Sequence, residues 1–351
     1  MNRLLDRARP EIRVLQPYEY AEWDASLERL HANERPWRAP GDTSALGLNR
    51  YPEPQPRELI ALLAKLYDVP RESLLAARGS DEGIDLLVRA FCRAGEDAVV
   101  ICPPTFGMYS VAARIQGAAV RQVPLRADAG FELDGAAVLD ACGDAVKLVF
   151  LCSPNNPTGN LLSEREVSRL IEATAERALI VLDEAYIEFA SRPSFASKVA
   201  EHPNLVVLRT LSKAFGLAGA RCGAVIAHPE VVSLLRRILP PYALAQPSIE
   251  AVTNLLGSAQ LAASAAQRAQ LLAERARVAT ALAALGCVSH VWPSEANFLL
   301  ASFPDAALAL QRARAANLLV RDVRHHAALP PALRITIGTP EQNNRLLEAL
   351  R

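Results

Sequence analysis

At 351 residues, 51% hydrophobic and 22% charged, the chain has the make-up of a globular enzyme-sized protein and not of a disordered one. Its 38 acidic residues balance 38 basic ones, so no global basic field exists to attract nucleic acid or anionic lipid, and any anion recognition must be local. No uninterrupted apolar run is long enough to span a bilayer and the first residues carry no apolar signal core, which sets the expectation of a soluble, cytoplasmic protein.

From the N-terminus, the first segment with chemical promise is Gly79-Ser80-Asp81-Glu82-Gly83. It opens a helix whose apolar face is Ile84, Leu87, Val88 and Phe91 at helical spacing. A Gly-Ser start leaves the first backbone N–H groups free to cradle an anion, and the same residues also make an ordinary N-cap. Residues 98–102 read as a strand ending at Pro103-Pro104-Thr105-Phe106-Gly107-Met108-Tyr109, where Tyr109 either stacks on a planar ring or sits in the core. The strand at 147–152 ends at Ser153-Pro154-Asn155-Asn156-Pro157-Thr158-Gly159. After a helical pattern over 164–177, the strand at 178–182 ends at Asp183-Glu184-Ala185-Tyr186. The strand at 205–208 runs into Arg209-Thr210-Leu211-Ser212-Lys213-Ala214-Phe215-Gly216. An alanine-rich stretch over 255–285 reads as a long helix or helix pair with no chemistry of its own. Short strands at 297–300, 318–320 and 333–337 then alternate with helices.

Continuous apolar strands alternating with helices indicate an α/β fold: a mainly parallel sheet covered on both faces, followed by a smaller α/β domain. Asn156, Asp183 and Lys213 follow their strands at intervals of 27 and 30 residues, the size of one strand–helix–strand unit. Parallel strands bring all three to the carboxyl edge of the sheet, where ligands of open α/β sheets bind. Lys213 is chemically distinctive, because only four of the 38 basic residues are lysine and the other 34 are arginine. A lysine can lose its proton and attack a carbonyl to form a Schiff base, which an arginine cannot. In pyridoxal 5′-phosphate such chemistry needs an acid held against the ring nitrogen, and Asp183 suits that role or caps a helix. Thr210 and Ser212 offer hydroxyls and Arg221 a bidentate cation for a cofactor phosphate, while Tyr186 is placed to reach a ring hydroxyl.

The motifs around Asn156, Asp183 and Lys213, with Ala218-Gly219-Ala220-Arg221-Cys222-Gly223, resemble in order and spacing those of the fold type I pyridoxal-phosphate aminotransferases. Leu15-Gln16-Pro17-Tyr18, Leu30-His31-Ala32-Asn33-Glu34, Arg50-Tyr51-Pro52-Glu53, the Pro103 to Tyr109 segment and Leu333-Arg334-Ile335-Thr336-Ile337-Gly338-Thr339 are similar, more narrowly, to the histidinol-phosphate aminotransferase family. The resemblance runs over nearly the whole chain. It implies pyridoxal 5′-phosphate as cofactor, Lys213 as the lysine that carries it and shifts the proton, and Asp183 on the pyridine nitrogen. It puts Asn156 and Tyr186 on the ring oxygen, Tyr109 stacked on the ring, and Ser80, Asp81, Thr210, Ser212 and Arg221 around the phosphate. Tyr51 reaches that phosphate from the other subunit in such enzymes, which implies an obligate homodimer.

On the substrate side the resemblance gives Arg334 the anionic end of the substrates, and Arg321 and Tyr18 further contacts to a substrate phosphate. Asn33 remains as an N-terminal contact, although His31 departs from the small polar residue expected beside it. The implied reaction moves an amino group between L-histidinol phosphate and 2-oxoglutarate, giving imidazole-acetol phosphate and L-glutamate, in histidine biosynthesis. The implied division makes residues 1–45 a segment contributing to the small domain and the dimer contact. Residues 46–245 form the large cofactor-binding domain, and 246–351 the long helix and small C-terminal domain.

Two arginines suit a nearly doubly charged phosphate better than one, and Arg334 stands apart from the other arginines by lying within an apolar strand. An aromatic amino acid aminotransferase or a threonine-phosphate decarboxylase shares this scaffold and differs only in its substrate site. A non-catalytic regulator retaining the fold is opposed by the intact lysine, aspartate and arginine set and by the lack of a basic tail. No G-x-G-x-x-G follows the first strands, so a dinucleotide binder is not indicated. Six cysteines without a C-x-x-C pair read as reduced, mostly buried thiols. His325-His326 reads as an exposed turn and not as a metal pair, since no third ligand is near in sequence.

Overall fold

The computed structural model describes residues 3–351 apart from Ala21, Glu22 and Ala25. Its larger sheet is built from β1 (Leu74–Ala77), β2 (Ala98–Ile101), β3 (Ala119–Gln122), β4 (Val146–Cys152), β5 (Leu179–Asp183), β6 (Leu205–Thr210) and β7 (Gly223–Ile226). The spatial order is β1-β7-β6-β5-β4-β2-β3. Pairing is parallel from β3 through β2, β4 and β5 to β6, whereas β7 runs against both β6 and β1. All strands except β7 therefore end at one edge.

The strands alternate their side chains between two cores. Val99, Ile101, Leu148, Phe150, Val181, Val206 and Leu208 face one side. Val100, Val149, Leu151, Ile180, Leu182 and Val207 face the other. Both sides are dry because helices cover both, which is why the central strands β4, β5 and β6 are almost wholly apolar until their ends. The short α1 (Pro10–Arg13) is followed by α2 (Arg57–Tyr67), α3 (Ser80–Phe91), α4 (Met108–Gln116), α5 (Gly135–Ala141), α6 (Glu164–Ala173), α7 (Pro229–Arg236) and α8 (Gln246–Leu255). Apolar residues of α3, α4 and α7 pack into the first core, and those of α2, α5, α6 and α8 into the second. The helix expected over 164–177 stops at Ala173, where the Thr174 hydroxyl donates back to the Leu170 carbonyl and the chain turns into β5.

The alanine-rich stretch becomes one 26-residue helix, α9 (Ser258–Ala283), separated from α8 by Gly257. A second, antiparallel sheet follows, built from β8 (His290–Val291), β9 (Phe298–Ser302), β10 (Arg321–Asp322) and β11 (Ala332–Thr336) in the order β10-β11-β9-β8. It is covered by α9, α10 (Ala306–Ala315) and α11 (Pro340–Leu350), around Val278, Leu282, Leu299, Phe303, Leu333, Ile335 and Leu350. The strand expected at 318–320 lies further on, at β10. Asn317 turns the chain at φ 56° after α10, and pairing with β11 begins only at Arg321.

The two sheets meet beneath the carboxyl edge of the larger one. Tyr186 and Phe189 pack there with Ala296 and Phe298 of the smaller unit. Beside them Gly159, at φ +81°, lies so close to the smaller unit that a Cβ would stand 2.5 Å from Ser294 Oγ. Its carbonyl accepts from the Glu295 amide over 2.8 Å, so the Asn155–Gly159 turn is pressed against the second sheet.

The described residues of 14–56 form neither helix nor strand. Val14, Tyr18, Leu27, Leu30, Trp37, Leu46, Leu48 and Tyr51 are exposed along this segment. The buried Glu34 carboxylate holds it together, pairing with Arg29 and Arg50 and accepting from the Tyr51 amide. No helix among the described residues is long and apolar enough to cross a membrane.

Candidate active site

A cavity of about 540 Å³ opens where the strands end. Each strand end supplies a wall: Ser80 and Asp81 after β1, Thr105 and Phe106 after β2, Cys152 and Asn156 from β4, Asp183 and Tyr186 from β5, and Thr210, Ser212 and Lys213 from β6. Arg321, His325, His326 and Arg334 close it from the second sheet. Asn156, Asp183 and Lys213, spaced as strand–helix–strand repeats in the sequence, are thus in one place.

Asp183 is buried beside Cys152, its register partner on β4. Both carboxylate oxygens are occupied, Oδ2 by the Tyr109 hydroxyl at 2.7 Å and Oδ1 by the Ala185 amide at 3.1 Å. Burial pushes the Asp183 carboxyl up to about 6, while the Tyr109 and Ala185 bonds pull it back down. Tyr109 corrects an expectation. Its ring is fully buried, stacks on Phe150 with centroids 4.8 Å apart, and does not line the cavity. A ring-stacking role does not fit that position. Phe106, three residues earlier and edge-on to Tyr109, lines the cavity instead.

Lys213 lies on the turn after β6, which the Leu217 amide pins to the Leu211 carbonyl and Ser264 of α9 pins at Ala214. Protein surrounding the amine depresses its pKa by desolvation, and the nearby Arg334 and Arg221 add to this against Asp81 and Asp183. The neutral, nucleophilic amine is therefore favoured relative to a free lysine. Its Nζ is 5.8 Å from the centre of the Tyr186 ring.

An anion cradle faces it. No side chain caps the first turn of α3, which leaves its leading amides free at the positive end of the helix. Arg221 extends across this turn, with Nη2 3.2 Å from Asp81 Oδ2 and Nη1 3.4 Å from Ser212 Oγ. Ser212 Oγ in turn accepts from the Thr210 hydroxyl at 3.0 Å. Two glycines make room for this approach. A Cβ at Gly79 would stand 2.8 Å from Arg221 Nη2, and one at Gly223 would stand 2.8 Å from the Gly79 carbonyl carbon and the Ser80 nitrogen.

Arg334 and Arg321 are register partners on β11 and β10 and line the far wall together. Like charges directly opposite on neighbouring strands are destabilising unless an anion lies between them. Neither makes an ion pair among the described residues, and Arg334 Nε is buried with no hydrogen-bond partner. Its Nη1 donates to Asn156 Oδ1, whose amide nitrogen is 3.4 Å from the Tyr186 hydroxyl.

The residue set fits pyridoxal phosphate: a cradle for its phosphate, an acid for its ring nitrogen, an amine for its aldehyde, and Asn156 with Tyr186 near a ring oxygen. An orphaned arginine nitrogen remains for an anionic substrate. Tyr51, Tyr18 and Asn33 are not brought to the cavity of their own chain; Tyr51 stacks on Tyr242 at 4.5 Å and Tyr18 lies edge-on to Tyr20. Asn155 escaped sequence reasoning because its neighbour Asn156 drew the assignment. It ties the β2 and β4 turns together, accepting from Thr105 and donating to the Pro104 carbonyl and to Thr158. His325 and His326 do sit on a turn, as expected, but both rings line the cavity. Among the described residues no group of three or more His, Cys, Asp or Glu is placed to hold a metal.

Residues 30–350 match the family described as aminotransferase class I and II. The chain is 48% identical over 352 residues to the histidinol-phosphate aminotransferase of Xylella fastidiosa, covering 99% of this chain and 96% of that relative. It is similar to the solved histidinol-phosphate aminotransferase of Sinorhizobium meliloti in complex with pyridoxal-5′-phosphate. That likeness has a TM-score of 0.77 at 25% identity, over 86% of this chain and 82% of that one. The L-threonine-O-3-phosphate decarboxylase of Porphyromonas gingivalis is similar with a TM-score of 0.73 at 27% identity, over 86% and 90%.

Proposed function

The chain belongs to the class I and II aminotransferase family, and we propose that it transfers an amino group between L-histidinol phosphate and 2-oxoglutarate, giving imidazole-acetol phosphate and L-glutamate. The observation that carries this reading is one cavity holding Lys213, Asp183 and the α3 cradle at one end and, at the other, the Arg321–Arg334 couple, which forms no ion pair among the described residues. The nearly full-length identity to histidinol-phosphate aminotransferases supports the substrate over those of other enzymes on the scaffold.

Pyridoxal 5′-phosphate, when bound, supplies the electron sink that makes the amine-bearing carbon acidic. The residues do the rest. Ser80, Thr210, Ser212, Arg221 and the leading amides of α3 would hold its phosphate. Asp183 would keep a proton on the ring nitrogen, and Asn156 and Tyr186 would hydrogen-bond the ring oxygen. Lys213 Nζ would hold the cofactor through its aldehyde carbon, and its amine, kept neutral by desolvation, would take and return the proton of the substrate's amine-bearing carbon. Arg334 and Arg321 bind the anionic end of either substrate, which fixes the reacting carbon near Lys213. Phe106, Val111 and Val323 add apolar wall and exclude water.

A homodimer is part of this reading. The exposed apolar side chains of 14–51 call for a cover. Tyr51, its amide held by Glu34 and its ring outside its own cavity, would serve a second subunit in this reading. Six free cysteines, five of them buried, suit a reducing cytoplasm.

The test is a substrate panel. The purified, cofactor-loaded protein is given histidinol phosphate, phenylalanine and O-phosphothreonine with 2-oxoglutarate. The highest kcat/KM is expected for histidinol phosphate. Faster turnover of phenylalanine, or loss of carbon dioxide from O-phosphothreonine, would replace the proposal.

A further inference from the structure

The turn joining β10 to β11 carries charge that the cofactor does not use. It begins at Arg321 and Asp322 and includes His325 and His326, whose rings lie 4.3 Å apart at a 36° tilt and both line the cavity. The turn is anchored from below, where Val323 and Leu329 are buried. The His326 amide donates to the Val323 carbonyl at 3.1 Å, and the Leu329 amide to the His326 carbonyl at 3.0 Å. The rings are thus mounted on a fixed support.

Among the described residues the carboxylates around this wall are engaged by other groups, although Asp322 also lies near enough to His325 to feel its charge. Asp322 is consumed by Arg324, accepting from its Nε at 3.0 Å and its Nη2 at 2.6 Å. Asp81 is engaged by Arg221, and Asp183 by Tyr109. Among the described residues no ion pair is formed by Arg321, Arg334, His325 or His326. Two guanidiniums and two imidazoles therefore face one end of the cavity, and Asp322, the acid beside them, is already paired with Arg324.

An anion of one charge and two oxygens is satisfied by the arginine couple alone, since each guanidinium presents a fork of N–H donors. A phosphate brings a third oxygen and nearly twice the charge, and so needs further donors. Each imidazole has one N–H to offer when neutral and two when protonated. The burial of His326, with His325 and Arg321 beside it, keeps its pKa below the usual histidine value until an anion arrives.

We infer that His325 and His326, which line the cavity beside Arg321, add N–H donors to the anionic end of the substrate and thereby deepen this chain's preference for histidinol phosphate over histidinol. The inference rests on the proposed function and names residues that sharpen its substrate preference.

The test uses the cofactor-loaded protein with His325→Asn and His326→Asn singly and together. Steady-state rates are measured with histidinol phosphate and with histidinol, which lacks the phosphate. Cofactor absorbance and melting temperature confirm that each variant is folded, as expected for a turn at the rim. The double variant should lose about tenfold in kcat/KM for histidinol phosphate, mostly through KM, and less than about twofold for histidinol. The single variants should fall between. An unchanged ratio of the two substrates overturns the inference and leaves the proposed function standing. An equal loss on both overturns it as well, since the histidines then shape the whole site. A wild-type protein inactive on histidinol phosphate overturns the proposed function, and this inference with it.

Discussion

The Tyr109 hydroxyl donates to Asp183 Oδ2 over 2.7 Å, from a ring with no exposed surface. A phenol at the start of α4 therefore fixes a carboxylate at the end of β5, and favours its charged form in a place where burial opposes it. The acid proposed to face the cofactor nitrogen is thus oriented from the side away from the cavity.

Tyr109→Phe keeps the ring stacked on Phe150 and removes only that donor. A hydrogen bond to a charged group contributes about 1.5–3 kcal/mol to stability, so the melting temperature should fall by a few degrees, and kcat should fall on the order of tenfold as the carboxylate loses its orientation. The Asp183 pKa should rise, which moves the acid limb of the kcat–pH profile upward. A rate profile measured from pH 5 to 9 checks both.

Asp183→Asn separates function from stability. The folded-state pKa of about 6 lies above the unfolded value, so between pH 4 and 6 the folded state binds the extra proton. The corresponding stability is fully present below about pH 4 and is lost as pH rises through about 6. Freed of its cofactor, the Asn variant should thus be more stable than wild type at pH 7.5, by about 3 kcal/mol at most, and equal to it near pH 4. Denaturant titrations of both apoproteins at the two pH values read this directly. Activity should be lost throughout.

Gly223→Ala places a methyl group 2.8 Å from three backbone atoms, those of Arg209, Gly79 and Ser80. Backbone cannot yield as a side-chain tip does, so β7 and the α3 turn must separate. Stability should drop by about 1–3 kcal/mol, and cofactor affinity, read by titrating the apoprotein with pyridoxal phosphate, should weaken about tenfold.

Arg209, next to Thr210 on β6, is buried between two buried carboxylates. Its Nη2 is 2.7 Å from Glu188 Oε1, its Nη1 is 3.8 Å from Glu184 Oε2, and its guanidinium covers the Tyr67 ring at 4.5 Å. Arg209→Met leaves Glu184 and Glu188 without a counter-charge and should destabilise the fold by about 3–5 kcal/mol. Burial already raises the Glu184 pKa, and loss of Arg209 raises it further. The destabilisation should therefore be larger at pH 8 than at pH 5, as urea titrations at both will show.

The parallel half of the large sheet was legible because its central strands are almost wholly apolar and their polar ends repeat at the spacing of a strand–helix–strand unit. Asn156, Asp183, Lys213 and Arg221 could therefore be placed in one site before any coordinates. β7 was hidden because Gly223–Ile226 is four short apolar residues, a pattern that does not reveal direction. The sequence leaves Tyr109 between the cavity and the core and gives Phe106 no role, because both follow β2 closely and only the start of α4 decides which ring enters the cavity. His325 and His326 looked like a solvated turn because their function depends on β10 pairing with β11, a contact set by the fold and not by local sequence.

The central claim is amino transfer from histidinol phosphate through Lys213. The most direct measurement is glutamate formed from histidinol phosphate and 2-oxoglutarate by the cofactor-loaded wild type and by Lys213→Arg, a variant that keeps the charge but not the neutral amine. The account predicts steady glutamate formation by wild type and at least ~1000-fold less by the variant. No glutamate from wild type, or comparable rates from both proteins, would contradict it.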